Sequence, residues 1–166
     1  LQPLRPETLA AAAAALGRGF PARAEDRALV AALGEGSVAR SLAIADAGLP
    51  LYRRLKALLD RLPALDRLAV HALADEIAAG DASFALGTDL LRSWMRGSLR
   101  LTATGRGESA AFSRLPGRLA RWAEVWEKVE DSLRLADTFN LDRRHAVLSI
   151  FRALAEAAET SPSKPA

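Results

Sequence analysis

The sequence predicts an all-α protein, a small three-helix domain followed by a five-helix domain. Three observations lead there. Ala, Leu and Arg dominate the 166 residues, and these are among the strongest helix formers. Val and Ile are scarce and aromatic residues make up only 5%, which disfavours a large sheet. No stretch shows sustained strand alternation, whereas apolar residues recur at helical spacing along most of the chain. Half the residues are apolar, so the chain can bury a core as one ordinary domain or two small ones.

The helices can be justified in order. Leu4-Arg5-Pro6-Glu7 reads as a helix start, with Pro6 near the first helical position, where a missing N–H costs nothing. Leu9, Ala13 and Leu16 form its apolar stripe, and Gly17 and Gly19 end it. A second helix is expected from Ala24 to Leu33, stopped by Gly34 and Gly36. Ser37 is placed as the N-cap of a third, running through Ala45 and ending at Gly48. Pro50 then opens a fourth, with Leu51, Leu55, Leu58, Leu59 and Leu62 on one face and Pro63 after it. Asp66 is the expected cap of a fifth that carries Leu68, Leu73 and Ile77 and stops at Gly80.

A sixth helix starts at Asp81 or Ser83 and runs through Leu101, burying Phe84, Leu91, Trp94 and Met95. Residues 103–114 read as a mobile loop. Pro116 and Gly117 lead into the longest helix, Leu119 to Phe139. Asn140-Leu141-Asp142 forms a break with a new cap, and a last helix follows from Arg143 to Ala158. The expected domains are therefore 1–47 and 48–158, hinged near Ala47-Gly48-Leu49-Pro50, with a disordered tail at 159–166. The chain begins at Leu1 without a Met, which suggests a piece of a longer protein.

Composition also excludes some chemistry. With no cysteine there is no disulfide and no thiolate metal site, which fits a reducing, cytoplasmic setting. No apolar run is long enough to span a bilayer, so no membrane partner is expected. Arginine sets the high pI, but a net charge of +3 is too small to argue for nucleic acid by itself. No phosphate-binding loop and no dinucleotide fingerprint is present. His71 and His145 each stand alone, without a second ligand at metal spacing. The neighbouring acids Asp75-Glu76 and Glu130-Asp131 point roughly 100° apart on a helix, so they read as salt-bridge partners on polar faces. No catalytic residue, cofactor-binding residue or metal ligand is assigned.

Three features stand above this background. Arg92, Arg96 and Arg100 recur every fourth residue, and Arg106, Arg114, Arg118 and Arg121 follow, with Glu108 the only acid among them. Such a row can be a soluble face, a partner surface or an anion-binding surface. Trp122 and Trp126 lie one helical turn apart on one face, as core residues or interface anchors. Leu119, Val129 and Leu133 extend that face, and Val147, Leu148, Phe151 and Leu154 oppose it from the last helix. The third feature is the sharp turn around Asn140 and Asp142 that joins these two helices into a hairpin.

In this order the pieces resemble the C-terminal two-thirds of the delta-prime family of bacterial DNA polymerase III clamp-loader subunits, in an alphaproteobacterial-like version. The segment Leu1-Gln-Pro-Leu-Arg-Pro-Glu is similar to the chain that enters the lid of these AAA+ proteins. Glu35-Gly-Ser-Val-Ala-Arg-Ser-Leu-Ala is similar to the lid motif Gly-Ser-Pro-Gly-x-Ala-Leu. Trp122 through Trp126, and on through Phe139-Asn-Leu-Asp-Arg-Arg-His-Ala-Val-Leu, is similar to the last hairpin of the collar. The likeness covers residues 1–158.

The resemblance implies a lid at 1–47 and a collar at 48–158 that joins other clamp-loader subunits in a ring. Sliding clamp and primer-template DNA would be met only indirectly, through the complex. Gly36 and Ser37 match the lid motif, and Val38 stands where its proline would be. ATP-hydrolysing relatives carry Gly-Ser-x-Arg, whose arginine touches nucleotide. Here Ala39 holds that place and the arginine comes one residue late, at Arg40, a rotation of about 100° on a helix. The expected function is a non-catalytic assembly module without cofactor. The alternatives are a helical nucleic-acid-binding domain using the arginine face, and a small helical enzyme with an unrecognised site.

Overall fold

The structure is a computed structural model. It describes residues 4–103, 118–138 and 142–159, and the side chains of 4–100, 123–136 and 142–159. The expected loop at 103–114 beyond Ala103, the side chains of Trp122, Arg118 and Arg121, residue Asn140 and the tail beyond Glu159 lie outside these. The described residues form α1 (Pro6–Ala15), α2 (Ala24–Gly34), α3 (Val38–Ala43), a π turn (Ile44–Gly48), α4 (Leu49–Leu59), α5 (Arg67–Ala78), α6 (Asp81–Ala103), α7 (Arg118–Thr138) and α8 (Arg143–Glu159). No strand occurs among them. The chain divides into two compact units, Leu1–Arg53 and Arg54–Ala166.

In the first unit α1, α2 and α3 pack on one another. Pro6 takes the first position of α1, and Leu9 and Ala13 are wholly buried. Leu16, expected on the same stripe, is 63% exposed. It sits at the C-cap, where the chain already turns toward Gly17 in the left-handed region (φ 65°). Val30, Ala31 and Leu33 are the buried face of α2. Gly34 lets α2 approach α3 closely, because a β-carbon there would lie 1.9 Å from Oγ of Ser41, itself buried and donating to the Ser37 carbonyl at 2.8 Å.

The expected stop at Gly48 is not seen. Helical backbone continues from Val38 to Leu59 through the π turn, in which the N–H of Leu49 donates to the carbonyl of Ile44, five residues back. The ladder changes register just where Pro50 has no N–H to give, so the proline is accommodated without a break. Asp46 of the π turn pairs with Arg18, and Arg53 pairs with Asp26. Both pairs belong to the first unit, so residues 47–50 lie inside it and the division falls later, within α4. Residues 47–50, where the hinge is expected, are thus helical backbone within the first unit.

In the second unit α6 packs against α5 and α7, and α8 packs against α5 and α7. Asp66 caps α5 as expected, accepting from the N–H groups of Leu68 (2.9 Å) and Ala69 (3.3 Å). The buried stripe of α5 is Val70, Leu73, Ala74 and Ile77. Leu68, expected on it, is 83% exposed, because two residues before Val70 is roughly 200° around the helix. On α6 Phe84, Leu91, Trp94 and Met95 are buried as read from the sequence. Thr88, Leu90, Ser93 and Ser98 are buried too, so α6 turns a wide face inward. Val147, Ile150, Phe151, Leu154 and Ala157 form the buried face of α8. Fully burying a valine, isoleucine, leucine or phenylalanine side chain contributes about 1.5–3 kcal/mol.

Candidate interaction surfaces

The turn between α2 and α3 is built by three adjacent conformational choices. Glu35 leaves α2 in the left-handed region (φ 49°), Gly36 follows with φ 86°, and Ser37 returns to extended backbone to cap α3. Its Oγ accepts from the N–H of Arg40 at 3.3 Å. The Arg40 guanidinium folds back on Glu35, with Nη1 to Oε2 at 3.3 Å. A left-handed conformation is costly for a residue with a Cβ, and this ion pair ties Glu35 to the helix that follows. Gly36, Ser37 and Arg40 are therefore brought together, as components of a turn.

The arginine row does not form one open face. Arg100 is exposed, but Arg92 and Arg96 are half-buried. Arg92 reaches from α6 to α7 and grips Glu130 with two hydrogen bonds, Nε–Oε1 at 2.8 Å and Nη2–Oε2 at 3.1 Å. Planar two-point pairing of this kind is the stronger form of ion pair. Arg92 also lies 3.8 Å from Asp89. Arg96 Nη2 donates to Ser93 Oγ at 3.5 Å. Of the three arginines that form one row in the sequence, Arg92 and Arg96 are thus drawn partly into the packing. Sequence spacing could not show it, because Glu130 lies 38 residues away.

This packing separates two arginines that look equivalent in sequence. Arg92→Ala is expected to lower unfolding free energy by about 1–2 kcal/mol, since it leaves the half-buried Glu130 carboxylate without its two donors. Arg100→Ala, at an exposed position, is expected to cost less. Urea unfolding of the two variants checks this. Equal effects would mean that the Arg92–Glu130 pair does not join the helices.

The two helices of the expected hairpin, α7 and α8, pack against each other, and residues 139–141 between them lie outside the described residues. Asp142 caps α8, accepting from the N–H groups of Arg144 (3.0 Å) and His145 (3.3 Å). The inward stripe of α7 is Val125, Val129, Leu133 and Ala136. Trp126 is half-buried, beside that stripe and not on it. Val125 and Trp126 are adjacent, and the spacing to Val129 suits either as its neighbour; the smaller side chain takes the inward place. The described tryptophan in the core is Trp94 of α6, 5% exposed.

Both histidines are exposed. His71 Nδ1 lies 3.0 Å from Nη2 of Arg144, whose Nε pairs with Asp75, so α5 and the start of α8 are laced by charge. Arg143 links α8 to α6, with Nη1 2.6 Å from Asp81 and its guanidinium 5.1 Å from the centre of the Phe84 ring. Glu156 raises the Arg152 guanidinium further above its ordinary range, by hydrogen bonding and by its charge, on a fully exposed surface.

Two grooves border these links. One, about 660 Å³, is lined largely by ion pairs, among them Arg92–Glu130 and Arg143–Asp81. The other, about 700 Å³, runs between α5 and α8 over Val70, Leu148 and Phe151 and is bounded by Arg67, Arg152 and Glu156. Among the described residues no group of three or more His, Asp or Glu is placed to hold a metal ion. None of the described helices is long and apolar enough to cross a membrane.

No protein-family model, curated protein or solved structure matches this chain.

Proposed function

We propose that this chain is a non-catalytic assembly module of a bacterial DNA polymerase III clamp loader, a delta-prime-type lid followed by a collar. One observation supports the reading above the others. Three short helices pack as a first unit, and the longer helices of a second unit end in the capped pair α7–α8. A helical unit of this kind offers broad helix faces for contact with other subunits. In this reading the collar holds neighbouring subunits, and clamp and DNA are engaged only through the assembled complex. The lid-like turn adds to it. Ala39 replaces the arginine that meets nucleotide in ATP-hydrolysing relatives, and Arg40 is paired with Glu35.

The reading makes a nucleotide prediction. The isolated chain is expected to show no sub-micromolar affinity for ATP and magnesium by titration calorimetry, and no turnover. A tight heat signal would contradict a non-catalytic role. The nucleic-acid alternative ranks second, because Arg92 is held by Glu130 and does not extend an open basic row. It would be favoured by DNA binding that weakens steeply with salt, as phosphate contacts require. Retention of the chain by the remaining clamp-loader subunits, without DNA, would favour the assembly role.

A further inference from the structure

We draw no further inference here: the strongest candidate, the groove between α5 and α8 over Val70, Leu148 and Phe151, is an unpartnered apolar face, and nothing in the structure shows what covers it.

Discussion

Trp94→Ala is expected to cost about 3–5 kcal/mol of unfolding free energy, the largest effect of any single tryptophan change in the described residues. Trp94 sits on the wide inward face of α6, a helix that packs against both α5 and α7, and only 5% of it is exposed. Truncation removes its buried area and leaves a cavity on the inward face of α6. Trp126→Ala should cost clearly less, because that side chain is only half-buried on α7. Denaturant unfolding followed by far-ultraviolet circular dichroism measures both without relying on the tryptophans as probes. If Trp126→Ala proved the costlier change, the inward face assigned to α7 would be wrong.

Gly87→Val is expected to cost about 2–3 kcal/mol, from overpacking where α5 and α6 meet. A β-carbon at Gly87 would lie 2.8 Å from both Cγ1 and Cγ2 of Ile77, and 3.2 Å from Cδ1. The two γ-carbons branch from one Cβ, so rotation about χ1 withdraws one only by moving the other. Either the helices separate or Ile77 is forced off its rotamer. The partner substitution Ile77→Ala makes room, at a cavity cost of about 2–5 kcal/mol. Valine at 87 should refill part of that space, so the double variant should be more stable than the sum of the two losses by about 1–3 kcal/mol. Strict additivity in a double-mutant cycle would show that Gly87 and Ile77 do not touch.

Much of the local structure is legible in the sequence because local chemistry determines it. Ser37, Asp66 and Asp142 each place an oxygen acceptor just before an apolar periodic run, and each caps the helix that follows. The leucines at 51, 55, 58, 59 and 62 are all buried, as their spacing implies. The misreadings share a cause. Gly48 and Pro50 look like punctuation, yet a π turn can absorb the missing donor, and no composition rule announces it. Leu68 looks like core, yet the phase of α5 is set by Val70, Leu73 and Ile77.

The surface was less legible still. Arg92 and Arg100 share a row in the sequence, but Arg92 is half-buried against a carboxylate far along the chain, whereas Arg100 is exposed. Arg40 likewise matters through Glu35, five residues back, which the local motif does not name. Such pairings depend on which helices meet, and a single chain's periodicity does not encode that directly. The clamp-loader reading therefore rests on helix order, on the capped turns and on the resemblance of the motifs.

The most direct measurement is reconstitution. The chain is mixed with the subunits of a bacterial DNA polymerase III clamp loader other than delta-prime, without DNA or nucleotide, and analysed by size-exclusion chromatography with light scattering. The assembly reading predicts co-elution in a mixed complex of defined mass, one copy of this chain per complex. Elution of this chain alone, while the other subunits are folded and assemble without it, would contradict the reading.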